Sequence, residues 1–286
     1  IAVCDMVQFV HDPALSHEAR MRIAAPWSLK KSQLPDLSQQ PWVNWQTIPG
    51  NLFAAFMGWP WDKLYRTEFI RQHDLAFPED LTNSEDMLFT YEALVLADRI
   101  AVVDEVLIDH RIERTGSVSN SRTTEPLAFY EALRRMKAFL LAQPAATPAE
   151  SSAATRTGAS SSRAAATQPA TLWNALQKPF LNWAFDWTLW NIETLGAGDA
   201  QSKLIGMLYA CELDLLELDQ HEPAYFTEYP RSMARYASLL DDEASRAAAS
   251  SVAAATTAAA ASADTRTLDP DAGPLGALNA LPYGAF

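Results

Sequence analysis

Two apolar, β-branched runs, IAVCDMVQFV at 1–10 and IAVVDEVLIDHRI at 100–112, constrain the architecture of this 286-residue chain more than any other feature. The first has the composition of a buried strand, and the second, rich in Val and Ile, also reads as a strand. Strands of this kind need apolar cover, and the sequence between them offers it at helical spacing. WDKLYRTEFIRQHDL (61–75) puts Leu64, Tyr65, Phe69 and Ile70 on one side, and Pro78 ends the pattern. Met87, Leu88, Tyr91, Leu94 and Val95 then recur at i, i+1, i+4, i+7 and i+8, which predicts an amphipathic helix. Between His11 and Pro60 the composition is mixed and reads as loops with a short helix and room for one strand. The first 122 residues are thus an α/β region.

Beyond residue 122 the character changes. A helical pattern covers about 125–141, and then 143–170 holds Ala, Ser, Thr, Pro and Arg with no large apolar residue. Such a stretch cannot bury enough surface to offset its ordering entropy, so the reading is a disordered insert. A second tract of that type begins near residue 243 and opens a low-complexity tail, 243–286. The Trp- and Leu-rich stretch between the tracts, 171–240, predicts two or three packed helices. The expected organisation is an α/β part over 1–122, a helical extension over 123–242 broken by the insert, and the tail, with the extension packed on the first part.

A net charge of −13 argues against nucleic-acid binding and against a polybasic membrane anchor. Cys4 and Cys211 are far apart and form neither a disulfide framework nor a zinc site, which suits a reducing compartment. No apolar run approaches the ~20 residues needed to cross a bilayer, and no secretory leader pattern is visible. Ile1 stands inside a strand-like run, which reads as the later part of a longer protein.

TNSEDMLF (82–89) places two adjacent acids where a polar turn becomes an apolar helix. One reading is a capping box, with Thr82 as the N-cap and Glu85 three residues on, and with Asn83 and Asp86 repeating the pattern. The other reading makes an acid held at a cleft edge a general base for an attacking hydroxyl. Upstream, Trp61 is either a core residue or an aromatic face for a sugar ring, and Lys63 is either a solvated charge or a phosphate contact. His110, Arg111, Arg114 and Ser117 end a strand and enter a Gly turn. They are either a surface turn paired with Glu113 or a cationic cradle for a diphosphate.

Taken in order, Trp61-Asp62-Lys63-Leu64-Tyr65, Phe77-Pro78-Glu79, Ser84-Glu85-Asp86-Met87-Leu88-Phe89, Val102-Val103-Asp104 and Arg114-Thr115-Gly116-Ser117 resemble the second half of family 2 glycosyltransferases. The resemblance covers about residues 1–122. It implies part of a GT-A, Rossmann-like mixed sheet, and inverting transfer from a nucleotide-sugar donor to a hydroxyl of a glycan or lipid-linked acceptor. Asp86 would be the base, Glu85 its support, and Trp61, Asp62, Lys63, His110, Arg111, Arg114 and Ser117 the substrate side. Glu79-Asp80 is a rival acid pair that ranks lower. The family's divalent cation, Mg or Mn, would be held mostly by an Asp-x-Asp motif upstream of Ile1. Asp269-Pro270-Asp271 fits those letters but follows no strand. The implied place of work is the cytoplasm, with peripheral association at the inner face of the membrane left open. The competing class is a non-catalytic helical interaction module whose Glu85 and Asp86 only cap a helix.

Overall fold

The computed structural model describes residues 1–10, 14, 16, 28–112, 124–145, 171–229 and 232–241. The two β-branched runs are both strands, β1 (Ala2–Val10) and β4 (Ile100–Ile112), and they pair in parallel from Ala2 opposite Ala101 to Val10 opposite Ile112. Two short strands flank them antiparallel. β2 (Trp42–Val43) pairs with the start of β4, and β3 (Lys63–Leu64) pairs with the start of β1. The sheet therefore runs β2-β4-β1-β3, mixed in direction, and the fold is α/β.

The central pairing is irregular around Asp5. Cys4 faces Val103 but Asp5 faces Val106 and Met6 faces Ile108, so β4 carries extra residues there. The Asp5 carboxylate is buried at this bulge. Its Oδ1 accepts the backbone N–H groups of Met6 (2.9 Å), Ser28 (3.1 Å) and Leu29 (3.3 Å) and the Ser28 hydroxyl. A buried carboxylate needs such donors, and here they fasten residues 28–29 to the sheet.

Seven α-helices follow from the apolar spacing in the described chain: α1 (Leu52–Ala55), α2 (Thr67–Gln72), α3 (Glu85–Leu96), α4 (Ala128–Ala142), α5 (Leu172–Thr194), α6 (Asp199–Tyr209) and α7 (Ser232–Asp241). In α3 all five periodic residues, Met87, Leu88, Tyr91, Leu94 and Val95, are buried. The helix expected over 61–75 is a correction. Only α2 forms there, because Lys63 and Leu64 are drawn into pairing with Val3 and Ala2. Leu64, expected on an apolar helix face, is instead 77% exposed on this edge strand.

The helical extension is packed on the α/β part in one continuous core. Phe53 of α1 stacks on Trp183 of α5 at 5.3 Å, and Tyr91 of α3 meets the same indole edge-on at 4.6 Å. At the flanks of the low-complexity insert, Pro144 bridges to Thr171 and the Leu172 N–H donates to the Gln143 carbonyl at 2.9 Å. The chain therefore leaves α4 and re-enters α5 at one place. The insert between these flanks, the Gly116-Ser117 turn and the 243–286 tail lie outside the described residues.

Candidate functional site

The start of α3 is built differently from a capping box. The helix begins at Glu85, and its N-cap is Ser84, in the left-handed region at φ 67° with no side-chain cap bond. The Ser84 hydroxyl donates to Asn83 Oδ1 at 3.1 Å, and Thr82 reaches away to donate to the Glu125 carboxylate. The boxes expected of Thr82 with Glu85, and of Asn83 with Asp86, are therefore absent. Thr82 is held by Glu125 instead of the helix end, and the chain turns at Ser84 between the two. A left-handed non-glycine residue is an uncommon, mildly strained conformation.

Glu85 and Asp86 open the helix, where its dipole favours negative charge. Asp86 Oδ1 accepts the N–H of Met87 at 2.7 Å, which fixes the rotation of the carboxylate. Its pKa is nevertheless pushed up to about 6. Desolvation is the main cause and the charge of Glu85 adds to it, while the Met87 N–H and the Lys63 ammonium oppose it.

Lys63 occupies a different place from a phosphate contact or a solvated charge. Its side chain is fully buried, and Nζ donates to Asp62 Oδ1 at 2.5 Å and to the carbonyls of Trp59 at 2.7 Å and Met57 at 2.8 Å. All three ammonium protons are thus engaged. Asp62 is equally buried, its Oδ2 has no hydrogen-bond partner, and its backbone carbonyl accepts the N–H of Cys4 at 3.0 Å. Burial pushes the Asp62 carboxyl up and the Lys63 amine down, while their mutual contact opposes both shifts.

Residues 57–61 loop over this ion pair and join α3 to the far half of the sheet. Gly58 lies against the first turns of α3, where an added Cβ would sit 2.9 Å from Tyr91 Cε2 and 3.0 Å from Met87 Cγ. The Tyr91 hydroxyl donates to the Phe56 carbonyl at 2.8 Å. Trp59 and Trp61 stack with ring centroids 4.8 Å apart, and His110 of β4 meets Trp61 edge-on at 4.5 Å. His110 is half-buried, which lowers its pKa and favours the neutral ring, and its Nδ1 is buried without a partner. Arg111, one residue on, is exposed. Arg114 and Ser117 lie outside the described residues.

The structure thus gathers Trp61, Asp62, Lys63 and His110 around one loop and connects that loop to the helix that carries Glu85 and Asp86. The rival pair is engaged elsewhere: Asp80 forms a bidentate pair with Arg135 of α4 at 2.6 and 2.9 Å. Trp59 is the member that sequence reasoning passed over, although the Trp-Pro-Trp triplet was a visible signal. Among the described residues no three His, Cys, Asp or Glu side chains converge on a common point. They do not make a complete divalent-cation site, and no chemistry below passes through one.

No protein-family profile matches the chain. Over 72 residues it is 38% identical to the poly(ribitol-phosphate) beta-N-acetylglucosaminyltransferase TarS of Staphylococcus aureus, strains Mu50 and MW2, a stretch amounting to 25% of this chain. The chain spans 13% of the length of these curated relatives. The crystal structure of S. aureus TarS 1–349 superposes with a TM-score of 0.41 at 18% identity, over 82% of this chain and 55% of that one. The same protein in complex with UDP-GlcNAc gives a TM-score of 0.41 at 18% identity, over 82% and 56%. The resemblance to glycosyltransferases read from the motifs is borne out on the segment shared with TarS. Among the described residues no helix is long and apolar enough to cross a membrane.

Proposed function

We propose that this chain carries the acceptor-activating part of an inverting glycosyltransferase that uses a nucleotide-sugar donor, with Asp86 as general base. The observation that carries the reading is the 38% identity over 72 residues with a β-N-acetylglucosaminyltransferase. The placement of Asp86 gives it a chemical basis. As the acceptor oxygen attacks the anomeric carbon, its proton passes to the Asp86 carboxylate. The bond from that carbon to the nucleotide diphosphate breaks on the opposite face. A base with a pKa near 6 is largely ionised at pH 7, yet holds a proton better than a free carboxylate does.

In this reading Glu85 raises the basicity of its neighbour, and the Trp59–Trp61 pair with His110 offers aromatic surface to a sugar ring. Arg111, with Arg114 and Ser117, supplies charge and hydrogen bonds toward the diphosphate. Acceptors are hydroxyls of a cell-envelope glycan, a polyol phosphate polymer or a lipid-linked saccharide. The reaction takes place in the cytoplasm, at the inner face of the membrane; a divalent cation, if one is used, would neutralise charge on the leaving diphosphate and would be held mostly by residues other than those described.

The test uses the full-length protein with UDP-N-acetylglucosamine as donor and poly(ribitol phosphate) as the first acceptor. Asp86→Asn is expected to lower transfer by at least about 100-fold while the fold is kept. Transfer at the wild-type rate would remove Asp86 from the chemistry.

A further inference from the structure

We propose that Lys63 is a positioning residue: its buried ammonium holds the 57–61 loop in the shape that presents Trp59 and Trp61 and that packs on the first turns of α3, beside Asp86. The purpose of that packing comes from Asp86 acting as a base, and in that sense it rests on the reading above.

The geometry of the loop is the first argument. Two of the three protons on Nζ go to backbone carbonyls of the loop itself, Met57 and Trp59, and the third goes to Asp62. Carbonyls turned inward onto one ammonium leave the loop few other shapes. A neutral side chain in that place would leave both buried carbonyls unpaired, at the cost of their desolvation. The loop so held carries the stacked indoles on one side. Through Gly58 it packs closely on Met87, the residue after Asp86, and on Tyr91.

The second argument is the cost of the arrangement. A lysine–aspartate pair without solvent exposure is seldom a net source of stability, because desolvation offsets the attraction. Here Asp62 Oδ2 is also left without a partner. The ion pair is therefore not the main contribution of the ammonium; its two bonds to the Met57 and Trp59 carbonyls set the shape of the loop. The charged and titratable groups around the pair are Cys4 of β1, Tyr65 after β3, and Tyr91 and Asp86 of α3. Desolvation dominates the proton affinity of Asp86; beside it the Lys63 ammonium favours the ionised form and Glu85 disfavours it.

The experiment is a carboxyl-carbon NMR titration of Asp86 in the full chain, together with the indole proton shifts of Trp59 and Trp61, assigned through Trp59→Phe and Trp61→Phe. In Lys63→Met the Asp86 midpoint should move upward from the wild-type value, and the mutual ring-current shifts of the two indoles should be lost. If that single change prevents folding, Asp62→Asn with Lys63→Met removes both charges together and carries the same two readouts. An unchanged Asp86 midpoint or unchanged indole shifts in a folded variant overturns the proposal. Both readouts are independent of substrate. A chain that titrates as expected but transfers no sugar would therefore sink the glycosyltransferase reading and leave the role of Lys63 standing.

Discussion

Replacing Asp86 by asparagine separates a working acid from a capping acid by the sign of the stability change. The folded-state pKa of about 6 lies above the ordinary 3.8, so between those values the native chain binds more protons than the unfolded one. The contribution of this group is therefore most favourable below about pH 4. It declines as pH rises through 6 and stays unfavourable above that. Asparagine carries no charge at any pH and can still accept the Met87 N–H. Asp86→Asn should consequently be more stable than the wild type at pH 7, by about 1–2 kcal/mol, with the gain vanishing near pH 4. Urea denaturation at the two pH values measures this. A loss of stability at pH 7 would instead mark a carboxylate that serves the helix end. Lys63 shows how little a side chain's surroundings follow from its type: it reads as a solvated cation or a phosphate contact, and it is buried because residues 57–61 fold back over it.

The helix α3 was legible because its signal is local: five apolar residues at helical spacing are all buried where the spacing puts them. Its N-terminus was not legible. The motif matches a capping box letter for letter, but the preceding loop is fastened sideways, by Asp80 to Arg135 and by Thr82 to Glu125, and Ser84 takes the left-handed turn that results. Thr82→Ala therefore should cost no more than about 0.5 kcal/mol, against about 1 kcal/mol for the loss of a true cap. Thermal unfolding of that variant decides between the two. The expected helix over 61–75 failed for a related reason. Its first residues have helical spacing, but Lys63 and Leu64 face a strand some sixty positions away, and those backbone bonds outweigh a weak local preference.

In the molecule as a whole, one core joins the sheet region to the helices that follow the insert, and polar ties fasten those helices to one another. Arg235 of α7 donates to Glu193 at 2.6 and 2.8 Å and to Asp186 at 3.0 Å, both on α5, and the Ser232 hydroxyl also donates to Asp186. With the Arg235 and Asp186 side chains only 15% and 12% exposed, Arg235→Met should destabilise the chain by about 3 kcal/mol, since it strands a buried carboxylate. A urea midpoint within error of the wild type would show that α7 is held by apolar contacts alone. The periodicity of apolar residues was enough to place both long strands, α3, and helices in the Trp- and Leu-rich stretch, because each such pattern is complete within a dozen or so residues. It also placed the acid pair at a helix start. The assembly of Trp59, Trp61, Asp62, Lys63 and His110 around one loop depended on contacts between distant segments. So did the burial that moves Asp86 off its ordinary pKa. Pairing register, loop shape and desolvation are properties of neighbours in space, and no local pattern of residues encodes them.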